Sequence, residues 1–303
     1  MISSKVLVTG GGGLVGSAFS DSFIKVGREF DLTNNDQTEE LLKRTRPDYV
    51  IHTAGKVGGV GGNSNFQADY FYDNILINTN IINACKKYNV KRLIAFTSTC
   101  VFPETPKYPL TEDQIHLGPP HSSNYGYAYA KRMADIQIRA YNEQYNLKYF
   151  TVIPCNIYGP NDNFDIKNGH VIPSLIHKVY LSRMNNTDLE VWGSGSPLRE
   201  FIYSKDVAKI VEKLLTDYDD TDPVIISPDN EISIKDLVDI IVRKMDFKGK
   251  VVYNKDLPDG QYKKPSSNSK LKRYIKNFKF TSIEDGISET VDWFLENYNE
   301  ARK

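Results

Sequence analysis

The 303-residue sequence predicts an α/β fold: a doubly wound parallel sheet followed by a smaller, discontinuous C-terminal α/β lobe. Three observations predict it. Short apolar, β-branched runs alternate with amphipathic helical patterns through the first half, the alternation that gives a parallel sheet covered by helices on both faces. The first of these runs ends in four consecutive glycines, Gly10, Gly11, Gly12 and Gly13. Past Pro154 the alternation loosens, and proline and glycine cluster at Gly159-Pro160 and from Gly193 to Pro197.

In chain order, Met1-Ile2-Ser3-Ser4-Lys5 leads directly into a strand over Lys5 to Thr9, with no signal-peptide pattern. After the glycines, Leu14 to Val26 reads as a helix. The stretch Lys25 to Thr33 is so short that the second strand is abbreviated or absent. Asp36 to Thr45 reads as a helix capped near Asn35 or Asp36, and Tyr49 to Thr53 as a buried strand. A glycine-rich loop, Gly58-Gly59-Val60-Gly61-Gly62, precedes a long helix from about Gln67 to Tyr88. A strand over Lys91 to Thr97, a helix over Ser122 to Tyr145 and a strand over Tyr149 to Pro154 complete the regular part. Beyond it, helices are expected at His170 to Leu181, Ser204 to Asp217, Ser233 to Met245 and Ser282 to Asn297. The third opens on a capping box at Ser233 and Asp236.

Lysines plus arginines number 38, as do aspartates plus glutamates, so no bulk field favours nucleic acid or an anionic membrane. No apolar run approaches the length of a membrane span. Cys85, Cys100 and Cys155 are too few and too scattered for a disulfide framework or a zinc site, which implies a reducing, cytoplasmic compartment and no metal.

Gly10, Gly13 and Gly16 stand between a strand and an expected helix, where backbone amides and a helix N-terminus receive a pyrophosphate. Four glycines also suit a flexible turn, but a linker is not wedged between Lys-Val-Leu-Val-Thr and an amphipathic helix. The fold is therefore read as Rossmann-like, with residues 1–155 as the dinucleotide-binding domain. Residues 156–303 then form mainly a substrate-binding lobe, with some segments returning to the first domain. The residue that separates NAD from NADP normally lies about 20 positions on, at the end of the second strand. Here that stretch offers only Lys25 and Arg28 for an adenosine phosphate, and either also reads as a solvated surface charge.

Tyr127 and Lys131 lie four residues apart in good helix-forming sequence, which stacks them on one face. A tyrosine titrates near pH 10, so acid-base work at pH 7 asks a neighbouring cation for a shift of about three units, roughly 4 kcal/mol. Tyr-x-x-x-Lys alone is a common accident. Its weight comes from Ser98, which follows the strand Lys91 to Thr97 at the carboxyl edge, where ligands sit in open parallel sheets. Ser98 binding a substrate carbonyl, Tyr127 protonating it and Lys131 holding the nicotinamide ribose while lowering the tyrosine pKa make a ketone-reducing triad.

With the glycine turn, this triad resembles the extended short-chain dehydrogenase/reductase family, whose members act on nucleotide sugars. Further segments sharpen the likeness: Val57-Gly58-Gly59, Ser98-Thr99-Cys100-Val101-Phe102-Pro103, Asn156-Ile157-Tyr158-Gly159-Pro160, Gly169-His170-Val171-Ile172-Pro173, Val191-Trp192-Gly193-Ser194-Gly195 and Arg199-Glu200-Phe201. Together these are similar to members that epimerise C3 and C5 of a GDP-linked 4-keto-6-deoxy sugar and reduce C4 with NADPH. The likeness runs from about Lys5 to the C-terminus. The tail Asp259-Gly260-Gln261-Tyr262-Lys263-Lys264 resembles animal-type members more than bacterial ones.

The resemblance implies a base at Cys100 and an acid at His170, whose free pKa values of about 8.5 and 6.5 bracket neutrality. The plainer readings are a buried structural cysteine and a histidine capping the helix that begins near Val171. For NADP(H), the resemblance carries over Gly10, Gly11, Gly12, Gly13, Leu14, Val15, Gly16 and Arg28. It also carries over Tyr127, Lys131, Pro154, Cys155, Asn156, Ile157 and His170. For the sugar nucleotide it carries over Lys178, Trp192, Arg199 and Asp259, with Arg199 suited to a forked grip on a diphosphate. Cys155 stands where relatives usually have threonine, and Gly11-Gly12 replaces a basic pair frequent in bacterial members. The resemblance also implies a homodimer paired through the helices Gln67 to Tyr88 and Ser122 to Tyr145. Two other readings remain: action on a UDP- or dTDP-linked 4-keto-6-deoxyglucose, and a non-catalytic nucleotide-binding regulator.

Overall fold

The computed structural model describes residues 4–257 and 259–303; the expected lead-in at Met1 to Ser3 lies outside them. β1 (Val6–Thr9) is buried along its whole length, as a central parallel strand must be. It pairs in parallel with β2 (Ile24–Val26) on one side and β3 (Tyr49–His52) on the other. Between β2 and β3 runs α1 (Asn35–Thr45), whose N-cap Asn34 accepts the Gln37 amide. The short α2 (Val60–Asn65) and the long α3 (Gln67–Lys87) follow, then β4 (Arg92–Phe96), α4 (Tyr125–Tyr145) and β5 (Phe150–Pro154).

The second half opens with β6 (Asn156–Tyr158) and α5 (Val171–Asn185), then β7 (Leu189–Trp192), β8 (Leu198–Tyr203) and α6 (Ser204–Asp217). It closes with β9 (Val224–Ile226), β10 (Glu231–Ser233), α7 (Ile234–Lys244), β11 (Val251–Asn254), α8 (Ser269–Tyr274) and α9 (Ile283–Glu296). The expected capping box is present: Ser233 accepts the Asp236 amide and donates to its carboxylate at 2.6 Å. Ser282 caps α9 in the same way.

The main sheet has the order β2-β1-β3-β4-β5-β9, so the strand order reverses at β1 and β3 to β4 continue outward on the other side. β9 is a late strand that returns to this sheet, beside β5. Two small sheets, β10-β8-β6 and β11-β7, lie outside it. One face of the main sheet packs on α6 through Val207, Ile210, Val211 and Leu214, and the other on α1 and α3 through Leu41, Leu42, Ile81 and Ile82. A separate apolar core joins α5, α7 and α9 to β7 and β8.

Two local expectations are corrected. The helix expected over Leu14 to Val26 is absent: a single 3-10 turn, Gly16–Ala18, is followed directly by β2. The packed glycine turn occupies the first part of the connection, and with Ile24 already a strand only Leu14 to Phe23 remain to reach β2. Phe19, fully buried, and Phe23 fill the sheet face that the helix would have covered. The second strand is indeed abbreviated, to three residues. The glycine segment from Gly58 is not all loop, since α2 begins at Val60.

Candidate active site

The glycine turn is close-packed. Gly10 has φ +72°, and a Cβ on Gly16 would fall 2.1 Å from the Gly10 carbonyl oxygen, so neither position takes a larger residue. The Gly13 amide closes the turn onto Gly10 at 3.0 Å. The amides of Gly12, Leu14 and Val15 have no protein partner among the described residues, and a Cβ on Gly12 would meet nothing within 4 Å. A cavity of about 250 Å³ lies beside Gly12, walled by Asn161, Asp162, Trp293 and Arg302. Unspent amides on an open, side-chain-free turn fit a dinucleotide diphosphate, although a three-residue 3-10 turn adds little helix dipole. Of the two basic candidates for an adenosine phosphate, Lys25 is held by Asp21 at 2.8 Å and by the Ser17 carbonyl, whereas Arg28 is exposed.

Ser98, Cys100, Tyr127 and Lys131 come together where β4 ends. Ser98 caps the 3-10 turn Thr99–Val101, accepting the Cys100 amide on its hydroxyl at 3.4 Å. Cys100 is half-buried, so it is not a sealed core cysteine like Cys85. Tyr127 and Lys131 lie on the buried face of α4, as the four-residue spacing requires, with Tyr70 edge-on to the Tyr127 ring at 6.4 Å. Lys131 donates to the Phe96 carbonyl at 3.0 Å, and its Nζ lies 5.8 Å from the Tyr127 ring centre.

The expected lowering of the Tyr127 pKa by Lys131 is not found. Burial pushes the phenol well up, with Cys100 and Tyr70 adding in the same direction, while burial draws Lys131 down to about 8. The tyrosine is thus a firmly protonated donor, and the lysine titrates close to neutrality. Burial also raises the Cys100 thiol, opposed by Ser98, Lys264 and Lys131.

His170 occupies the N-cap position of α5, but its ring makes no capping bond, so the capping reading fails. The residue is exposed, yet desolvation by the surrounding protein holds its pKa below the usual histidine value. The preceding turn rests on the Val57-Gly58-Gly59 segment, where the Gly59 amide donates to the Asn168 carbonyl at 2.7 Å. Just before it in the chain, Gly55 lies against Lys131: a Cβ there would sit 3.3 Å from its Nζ. Asn74, fully buried on α3, clamps this loop by accepting the Lys56 amide and donating to the Lys56 carbonyl.

Pro154 ends β5, and Asn156 and Ile157 begin β6. Cys155 between them is buried and donates its amide to Ile226. In the second half, Lys178 lies over the exposed Trp192 ring at 4.3 Å. Arg199 lies beside Gly260, a Cβ on which would sit 3.5 Å from its Nη2. Asp259 accepts the Ser194 amide at 2.6 Å and the Ser194 hydroxyl at 2.7 Å, so its carboxylate shapes the turn after Trp192. Lys264, which the sequence offers only as part of a tail segment with no role of its own, donates to the Thr99 carbonyl at 2.8 Å, directly against the Cys100 peptide. Only a fold places residue 264 beside residue 99, so spacing carries no signal for it.

Residues 6–227 match the model of a family described as NAD dependent epimerase/dehydratase. The chain is 45% identical to the GDP-L-fucose synthase of Dictyostelium discoideum, over 98% of this chain and 97% of that one. It is 32% identical to the GDP-L-fucose synthase of Escherichia coli, with both chains fully covered. Among solved structures it superposes on a GDP-L-fucose synthetase from Naegleria fowleri bound to NADP with a TM-score of 0.93. That match has 41% identity and covers all of this chain and 96% of the other.

Proposed function

Because the chain belongs to the NAD dependent epimerase/dehydratase family, we propose that this site makes GDP-L-fucose: it inverts C3 and C5 of GDP-4-keto-6-deoxy-D-mannose and reduces C4 with NADPH. The observation that carries the reading is the meeting of Ser98, Cys100, Tyr127 and Lys131 at the carboxyl end of β4, beside a glycine turn with three unspent amides.

A ketone at C4 acidifies the protons on C3 and C5. Cys100 as thiolate takes a proton from one face, and His170 as imidazolium returns one to the opposite face, with the enolate as the substrate's intermediate at each centre. At rest the pair is thiol and neutral imidazole, since the thiol is raised and the imidazole lowered. NADPH, when bound, supplies the hydride that reduces C4. Tyr127 gives its phenolic proton to the C4 oxygen, Ser98 donates a hydrogen bond to that oxygen, and Lys131 supports the phenolate that remains.

The amides of Gly12, Leu14 and Val15 hold the cofactor diphosphate, with Arg28 at the adenosine phosphate and Pro154 to Ile157 along the nicotinamide side. Lys178, Trp192 and Arg199 hold the sugar nucleotide, and Asp259 acts through the turn at Gly193 to Gly195. In this reading the main sheet is the cofactor half and most of residues 156–303 the substrate half. The active species is a homodimer, whose axis passes through α3 and α4, where Phe71, Tyr72, Met133 and Ile136 are exposed. No described helix is long and apolar enough to cross a membrane.

The test is NADPH consumption with GDP-4-keto-6-deoxy-D-mannose and, in parallel, the UDP-linked 4-keto-6-deoxyglucose, with products identified by NMR. GDP-L-fucose from the first sugar alone is the expected result. Turnover of only the UDP sugar would overturn the substrate assignment, and turnover of neither would overturn the enzymatic reading.

A further inference from the structure

We infer that Lys264 is a positioning residue for the proton exchange: its ammonium, seated against the Thr99–Cys100 peptide, favours the thiolate form of Cys100. The inference rests on the reading of Cys100 as the base.

Lys264 reaches this place on a segment pinned at both sides. Ser266, fully buried, donates its amide and hydroxyl to the two carboxylate oxygens of Glu200, at 3.2 and 2.5 Å. The Leu110 amide donates to the Pro265 carbonyl and the Ser267 amide to the Leu110 carbonyl, so a β-bridge flanks Ser266. Glu200 itself is buried in β8. Two residues upstream of this anchor, the Lys264 side chain turns inward to the Thr99 carbonyl at 2.8 Å, its one hydrogen bond among the described residues. None of the described carboxylates lies within ion-pairing distance of it, in contrast to Lys25, Lys56, Lys87 and Lys205.

A half-buried ammonium without a carboxylate has its charge uncompensated, and the acidic group coupled to it is the Cys100 thiol, on the residue next to its hydrogen-bond acceptor. Burial lowers the pKa of Lys264 and Cys100 opposes that fall, just as Lys264 opposes the rise that burial imposes on the thiol. The other groups facing Cys100 are Ser98 on its own turn and Tyr127, Lys131 and Arg132 on α4. Arg132 bonds the Val101 and Gly118 carbonyls and Lys131 the Phe96 carbonyl, so these two cations keep their charge and add to the field that Lys264 sets at the thiol. Arg199 also lies close enough to depress Lys264, which places the lysine between the grip on the sugar nucleotide and the base. An opposite charge a few ångströms from a thiolate shifts its pKa by about one unit or more.

The test alkylates the full-length protein with iodoacetamide between pH 6 and 10, with no sugar nucleotide present, and follows the Cys100 peptide by mass spectrometry. Lys264→Gln keeps a donor for the Thr99 carbonyl but removes the charge. Its Cys100 titration midpoint rises by about one unit, an approximately tenfold slower alkylation at pH 7. Lys264→Arg restores the wild-type profile. Ser266→Ala keeps the charge but frees the tail from Glu200, and raises the midpoint as well. Cys85 and Cys155, both buried, stay unmodified while the fold is intact. A wild-type midpoint in Lys264→Gln or Ser266→Ala, with unfolding excluded by the silence of those two cysteines, overturns the inference. Because no sugar is present, that failure leaves the substrate assignment standing, and a wrong sugar leaves the thiol result standing.

Discussion

Gly59→Ala isolates the support beneath His170. Gly59 has φ −67°, a conformation open to alanine, so the substitution adds no backbone strain. The added Cβ would fall 2.5 Å from the Gly169 carbonyl oxygen and 3.2 Å from that of Asn168, where ordinary contact begins at 3.4 Å. The turn before His170 must retreat by about 0.9 Å to admit it, and a 1 Å misplacement of a reacting group costs on the order of 100-fold in rate, about 2.7 kcal/mol. The assay is solvent deuterium exchange into C3 and C5 of the 4-keto sugar, beside NADPH affinity by fluorescence titration. Exchange falls about 100-fold and NADPH binding holds, because the glycine turn above β1 is untouched. Gly118→Ala, whose Cβ would lie 3.5 Å from Pro103, leaves exchange unchanged. Exchange at the wild-type rate in folded Gly59→Ala would refute the buttressing role.

Four further outcomes are expected. Tyr127→Phe removes the proton donor to the C4 oxygen, so NADPH oxidation falls by about 100-fold or more while C3 and C5 exchange persists; equal losses in both contradict that division. Cys100→Ser gives the reverse pattern, with exchange lost in a protein of unchanged melting temperature, and retained exchange removes Cys100 from the chemistry. Asp162 is buried with Oδ2 unpartnered, and burial pushes its pKa from 3.8 up to about 7. The folded chain therefore keeps a proton that the unfolded chain gives up, and this group's contribution to stability declines as pH rises from about 4 to about 7, by on the order of 4 kcal/mol. Asp162→Asn then raises the melting temperature at pH 8 and not at pH 4, and equal shifts at the two pH values contradict the assignment. Arg28→Ala raises the KM for NADPH about tenfold with little change for NADH; an unchanged ratio of the two removes Arg28 from the cofactor site.

The parts of the site that were legible in the sequence are those written by local spacing. Tyr127 and Lys131 share a helix face because four residues make about one turn, and Ser233 announces its helix through the carboxylate three positions on. The first crossover misled for a physical reason. Leu14, Val15, Ala18, Phe19, Phe23 and Val26 carry a helical apolar rhythm, but pairing of Ile24 with Leu7 fixes where the strand begins and leaves the helix no room. Tertiary pairing overrode periodicity there. The tyrosine pKa departs from expectation because spacing reveals a nearby lysine but not the burial of both groups. Lys264 and Glu200 were illegible as partners of the site because their contacts span more than 60 residues.

The shortened first crossover bears on the order in which the chain can fold as it is made. Its sheet face, with Val6, Val8, Ile51, Ile94 and Phe150, is closed by Val207 to Leu215 of α6 and by Leu271 and Ile275, and its edge beside β5 by β9, none of which has been synthesised when β5 emerges. The backbone of Ser20 is likewise tied to Glu212. A ribosome-bound fragment ending near residue 155 therefore presents an uncovered apolar sheet to chaperones, and the same fragment expressed alone is expected to aggregate. Having given up its own covering helix, the N-terminal unit depends for solubility on segments encoded some 50 to 120 residues downstream of β5, and maturation of this protein is governed by the end of translation rather than its beginning.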